Sequence, residues 1–321
     1  MGKRDSDARR WAAGTWPGAA VLVGMRAGGV AALMLVLAAA VPAAGVRAQD
    51  GTAAEGTTQG TDLPEAMEAQ VDALMAAIRI DDTIAILRDE GLDYGQSLEA
   101  DMFPGAGGSG WSATVALIYD GDRMHEEFRT ALTRELATQA ADLGMITAFF
   151  QSDLGRRVVE LEIEGRRSLL DDGVEEAAKV ALERLRADGG PRLELLDRFV
   201  AVNDLVESNV SGALNANLAF YRGMQRGGAF GDEMTEDQML SDVWAQEAEI
   251  RQSTSDWVYS YLNLAYGPLS DAELAAYTDF CETVAGQQVN AALFAAFDKV
   301  FTPISQALGV AVARQMQGQD I

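Results

Sequence analysis

A chain of 321 residues that is 48% hydrophobic and 7% aromatic has enough apolar material for one large core or two ordinary ones. Residues 1–48 hold six of the 25 Lys and Arg but only two of the 49 Asp and Glu, so a formal charge of −24 becomes −28 beyond them, a sign that repels phosphate backbones and argues against nucleic-acid binding. The single cysteine, Cys281, excludes an intrachain disulfide and any multi-cysteine zinc or iron-sulfur site.

Residues 25–48 read as a secretory signal. Arg26 is the charged start, Val30 to Ala40 the apolar core and Val46-Arg47-Ala48 the small-x-Ala end, which predicts cleavage after Ala48. The apolar run is well short of the ~20 residues that a spanning helix needs, so a cleaved leader is expected in place of an anchor, with no membrane span after cleavage. Arg9-Arg10 lies far upstream of the apolar core, and Met25 is the expected start behind an over-extended prefix. The expected location is the periplasm or the secreted space. Residues 49–62 are Gly/Thr-rich without an apolar period and read as a flexible linker.

From residue 63 apolar positions recur at three- and four-residue steps, which predicts an all-α, multi-helix bundle. Pro64 is placed for a helix start, with Met67, Val71, Leu74, Met75 and Ile78 on one stripe. A second helix is expected from Asp81 or Asp82 to a stop at Gly91, and a short third from Tyr94 to Phe103 before Pro104. Gly105-Ala-Gly107-Gly108-Ser-Gly110 has the glycines of a phosphate loop, but no Lys-Ser/Thr pair and no preceding strand, so it reads as a flexible loop. Helix resumes from Trp111 to Tyr119, and after the break at Asp120-Gly121-Asp122 the next stripe is Met124, Phe128, Leu132 and Leu136. Asp171-Asp172-Gly173 opens a helix through Val174, Ala178, Leu182 and Leu185, and Asp188-Gly189-Gly190-Pro191 is the clearest stop in the chain. The boundary between two helical units, 63–190 and 191–321, is placed there.

The second unit opens on one long expected helix from Leu193 through Val206 to Tyr221, ending at Gly227-Gly228. Thr235-Glu-Asp-Gln238 is a capping box at the head of a helix from Met239 through Trp257 to Leu264, stopped by Gly267-Pro268. Ser270-Asp-Ala-Glu273 is a second box. The last arm presents Val289, Leu293, Phe297 and Val300, with Pro303 expected to end or kink it before a weakly amphipathic tail.

Two stretches share one build. Ile146, Phe149, Ser152, Gly155, Arg156, Arg157 and Val158 are matched, at an offset of 131, by Tyr277, Phe280, Thr283, Gly286, Gln287, Gln288 and Val289. Each reads as helix, tight turn, helix, with Ser152 or Thr283 as cap and Gly155 or Gly286 as turn glycine. The expected fold is therefore two related helix-turn-helix halves. The run Phe149-Phe150-Gln-Ser152-Asp153-Leu-Gly155-Arg156-Arg157, with Trp111 to Tyr119 upstream and Val158-Val159-Glu160 downstream, resembles the Phe-Tyr-x-Ser-Pro-x-Gly-x-Lys pattern of the bacterial envelope proteins grouped as domain of unknown function 2059. The resemblance covers Trp111–Ala187, and more loosely Pro268–Phe301 as a degenerate second copy. It implies an exported, all-helical protein and carries over no catalytic residue. Asp153 stands in place of the pattern's proline, and Gln287-Gln288 in place of its basic pair.

Little in the chain points to catalysis. His125, the one histidine, lies between Met124 and Glu126-Glu127, and a helix-face role is expected, because adjacent helical residues diverge. Cys281 occupies the position of Phe150 in the first copy, which predicts a buried, inert thiol. Acidic clusters at Asp81-Asp82, Asp120/Asp122, Asp171-Asp172/Glu175-Glu176 and Asp232-Glu233 lack the ligand pattern of a calcium loop and suit helix N-termini. The basic pairs Arg156-Arg157 and Arg166-Arg167 are expected to ion-pair internally, with Arg156 and Arg157 the candidate contact for a partner or anion. No cofactor or metal motif is present, and the expected function is a non-enzymatic module that binds an envelope protein or component between its two copies. A carboxylate-dependent hydrolase assisted by His125 and a small-ligand or lipid carrier are the alternatives.

Overall fold

The computed structural model describes residues 65–231 and 234–318, and every regular element among them is a helix. The predicted leader, the linker and Asp232-Glu233 lie outside the described residues. In chain order the elements are α1 (Glu65–Ala77), α2 (Ile80–Met102), α3 (Gly108–Ile118), α4 (Gly121–Thr138), α5 (Leu143–Gln151), α6 (Asp153–Ser168), α7 (Asp172–Asp188), α8 (Pro191–Val202), α9 (Leu205–Arg226), α10 (Glu236–Trp244), α11 (Glu247–Ala265), α12 (Asp271–Cys281) and α13 (Val284–Met316). The described part of the chain is all-α, as its periodicity predicts.

Helix starts follow side-chain chemistry. Asp120, Asp142, Ser152, Asp171, Thr235, Ser270 and Thr283 each accept a backbone N–H of the first turn of the following helix, and both predicted capping boxes are closed. Each such cap satisfies a donor that the helix cannot satisfy itself and is worth roughly 1 kcal/mol.

The packing is organised around α13, which is 33 residues long and carries buried side chains from Ala285 to Ala313. It lies against α9 along most of its length and against α4 on another side, with α12, α5 and α3 completing its surround. The approach to α9 is set by small residues: a Cβ on Gly223 would collide with the carbonyl oxygen of Gln306, and one on Gly309 with that of Phe220. Backbone therefore meets backbone, and the α4 side is filled by rings, Phe128 against Phe297 at 4.6 Å between centroids. One apolar cluster runs from Val71 in α1 to Val312 in α13, crossing the expected boundary at Gly190. Among the described residues, no helix is long and apolar enough to cross a membrane.

Four sequence expectations change. Gly91 does not stop a helix, because α2 continues to Met102 and uses Gly91 and Gly95 to admit Tyr119 and Val115 from the segment of α3 and its C-cap. The long helix expected from Leu193 is two, α8 and α9, broken at Asn203-Asp204, where Asp204 is left-handed with φ 49°. Asp and Asn tolerate that conformation better than most residues, so no glycine or proline marks the break. The helix expected from Met239 to Leu264 is likewise two, α10 and α11, parted at Ala245-Gln246. Pro303 neither ends its helix nor begins a surface tail: α13 runs through it, and Ile304, Leu308 and Val312 are core residues.

Replacing Gly309 or Gly223 by alanine forces two helices apart and is expected to cost ~2–3 kcal/mol, against no loss for Gly110→Ala, where a Cβ meets nothing within 4 Å. Urea denaturation of the three variants checks this, and equal midpoints would contradict the close α9–α13 contact.

Candidate functional site

The two sequence-predicted turns sit against each other. At the first, Ser152 has φ −68° and ψ 165° and its Oγ accepts the Gly155 N–H at 3.0 Å; at the second, Thr283 has φ −70° and ψ 158° and its Oγ1 accepts the Gly286 N–H at 3.0 Å. A Cβ on Gly155 would strike the carbonyl of Phe149, and one on Gly286 that of Phe280. Phe149 and Phe280, which hold equivalent places in the two turns, stack face to face with centroids 3.7 Å apart and planes within 2°. Tyr277 and Phe150 close the ring cluster. These rings meet in the contact between the turns.

The candidate contact residues are engaged within the fold. Arg157 pairs with Glu273 and donates to the Pro268 carbonyl at 2.7 Å, tying α6 to the α11–α12 connection. Arg156 stays mostly exposed and reaches Asp153 and the Gln151 carbonyl. Arg166, 3% exposed, makes a two-pronged bridge to Glu90 at 2.8 and 2.9 Å, and its guanidinium lies over the Trp257 ring. Arg167 reaches Asp82 at 3.4 Å. His125 Nε2 lies 3.2 Å from Asp81 Oδ1 at the surface. Cys281 is buried among the turn residues; burial pushes its thiol far up, out of the reactive range, with a hydrogen bond from Asn203 acting the other way. These residues lie in separate places, and among the described residues no three His, Cys, Asp or Glu converge as metal ligands.

A buried carboxylate went unread in the sequence. Glu162, 2% exposed, accepts from the Tyr266 hydroxyl at 2.6 Å and the Tyr277 hydroxyl at 3.2 Å, while the Tyr261 hydroxyl donates to its backbone carbonyl. Its Oε2 has no partner among the described residues. Burial raises its pKa from 4.5 to about 7, and the two tyrosine hydrogen bonds pull the other way. The signal was available: Gly155, Val158, Val159, Glu162, Ile163 and Arg166 follow the three-four spacing of one helix face, which puts an acid and a base on the core stripe.

Two grooves lie beside α7. This helix buries only Ala178 and Leu182, and rests mainly on α11. A groove of about 390 Å³ lies on one side, between the first turns of α7 and Asn263-Leu264. A larger one, about 520 Å³, lies on the other, with Leu182, Trp257 and Ser260 along its floor and charged side chains at its rim. Ser260 is 4% exposed, and its Oγ has no hydrogen-bond partner among the described residues. The second groove has the size of a small-molecule pocket, ~300–1,000 Å³. No family model, curated protein or solved structure matches this chain. The groove must be read from its own chemistry.

Since the two turns have one geometry, Ser152→Ala and Thr283→Ala should each cost ~1 kcal/mol and agree within about 0.5 kcal/mol in chemical denaturation. An acid with a raised folded pKa stabilises the fold while protonated, so the share due to Glu162 is complete below about 4.5 and is lost as pH rises through about 7. Glu162→Gln should therefore gain on wild type by ~3 kcal/mol between pH 4 and pH 8, since each tenfold change in proton affinity is worth about 1.4 kcal/mol. Urea melts at both pH values check it; a constant difference would contradict the ionised burial.

Proposed function

We propose that the protein is an exported, non-enzymatic helical binding module, made of two related copies of one helical unit, that holds its ligand in the groove between α7 and α11. The copies are α1–α7 and α8–α13. Helix lengths run 13, 23, 11, 18 and 9 residues for α1 to α5 and 12, 22, 9, 19 and 11 for α8 to α12. After the turn, the 16 and 17 residues of α6 and α7 stand against the 33 of α13. Contacts follow the same scheme: α1 meets α5 as α8 meets α12, α2 meets α4 as α9 meets α11, and across the copies α4 lies on α13 as α11 lies on α6 and α7. Both first connections pass through a left-handed non-glycine residue, Arg79 and Asp204. The resemblance of Phe149–Arg157 to the envelope family named above, and the leader sequence, support export.

The observation that carries the binding reading is where the copies part. The second half of α13 is seated against α9 through Gly309, whereas its counterpart α7 has no such seat on α2 and leaves grooves on both flanks. In the first copy the glycine face of α2 is occupied by Val115 and Tyr119, so α7 is displaced from it. A departure from an internal repeat that creates open, lined space is the expected place for a ligand. The basic pair Arg156-Arg157 and His125 lie outside this site and take no part in it.

Native mass spectrometry of the full chain, incubated with a small-molecule extract of bacterial cells, tests the reading. An adduct should form on wild type and on His125→Ala, and disappear in Ser253→Trp, which fills the groove from a half-buried position on α11. No adduct, or one that survives Ser253→Trp, would overturn the groove as the binding site.

A further inference from the structure

We infer that the ligand of the α7–α11 groove is a linear aliphatic polyamine, two or three ammonium groups carried on a methylene chain; this deepens the binding reading above and rests on it. The first ground is charge. Five carboxylates and two cations line the groove, a net of three negative charges. Both cations are already engaged: Lys179 pairs with Glu175 at 2.7 Å, and Arg186 pairs with Asp256 at 2.7 Å while its guanidinium lies over the Tyr259 ring. Glu176 and Glu183 are exposed and have no ion-pair partner among the described residues.

Spacing is the second ground. Glu176 and Glu183 are seven residues apart on α7, two turns along the same face, so they stand about 10 Å apart along the helix axis. One compact metal ion cannot bridge that distance with both carboxylates. An extended triamine can, since its terminal ammonium groups are separated by a chain of similar length. The floor supplies the third ground. Leu182 and the Trp257 side chain give the methylenes an apolar surface, and Ser260, a lining residue more than nine-tenths buried, has an Oγ without a hydrogen-bond partner among the described residues, which an inner ammonium settling on the floor would answer. An anionic or neutral ligand would leave the two free carboxylates unanswered.

Isothermal titration of the full chain with spermidine tests this, with magnesium chloride at equal ionic strength as the compact-cation control. The expected result is saturable one-to-one binding, weakened about tenfold by combined Glu176→Gln and Glu183→Gln and about fivefold by Ser260→Ala. Asp122→Asn with Glu126→Gln, an exposed acidic pair on α4, should leave it unchanged. The four carboxylate substitutions are at exposed positions and are tolerated by the fold, and unchanged circular dichroism of these variants and of Ser260→Ala verifies that. The inference is overturned by an absence of saturable heat at millimolar spermidine, by equal loss from the α4 pair, or by displacement of spermidine by magnesium at matched ionic strength. If spermidine fails while the extract adduct is still lost in Ser253→Trp, the groove stands and only the polyamine is wrong. Failure of both removes the groove as well.

Discussion

Two helices that touch through their backbones hold this protein together. α9 and α13 approach closely because Gly223 and Gly309 present no Cβ where the partner's carbonyls lie, and the long contact that results makes α13 the post on which α4, α5 and α12 are hung. α9 and α4 hold the apolar side of α13 in the core, while Lys299 and Pro303, one turn apart, face solvent, so Pro303 is tolerated where its ring meets no packed neighbour. Neighbouring helices impose the path that propensity alone would have broken, at the cost of one hydrogen bond and one crowded carbonyl.

Contact around α2 and α7 is arranged differently. α2 has its own glycine pair, Gly91 and Gly95, yet Tyr119 and Val115 occupy that face, and α7 is left with α11 as its main support. A helix that buries only Ala178 and Leu182 contributes modestly to stability, roughly 2–3 kcal/mol from the leucine. Its outer face carries Glu176 and Glu183, which have no ion-pair partner among the described residues, beside paired neighbours, and this gives the proposed binding groove its negative charge.

Beneath the groove floor lies the least typical part of the core. Trp257 separates the groove from the Arg166–Glu90 bridge, and α6 continues from Arg166 back to Glu162 and its tyrosines. A buried charge pair is stabilised only when hydrogen bonds answer its charges, and Arg166 and Glu90 are joined by two. Glu162 is less well served. Its raised pKa follows from desolvation against two hydroxyl donors, and it makes the junction between α6 and the α11–α12 segment sensitive to proton concentration near neutrality.

Taken alone, the sequence determined whatever depends on neighbours along the chain. The helical period, the caps at Asp120, Ser152, Asp171, Thr235, Ser270 and Thr283, the stop at Gly189-Gly190, and the likeness of the turns at Gly155 and Gly286 are all local chemistry, written within a few residues. Tertiary structure decided what depends on residues far apart. Whether Gly91 ends a helix or admits a ring turns on where Tyr119 lies, whether Pro303 breaks a helix turns on what surrounds it, and the break at Asn203-Asp204 is marked by no glycine or proline. The groove belongs to this second class. Its walls are two helices about seventy residues apart in sequence, and only their incomplete closure, a balance of packing against available seats, brings Glu183 and Ser260 to one space.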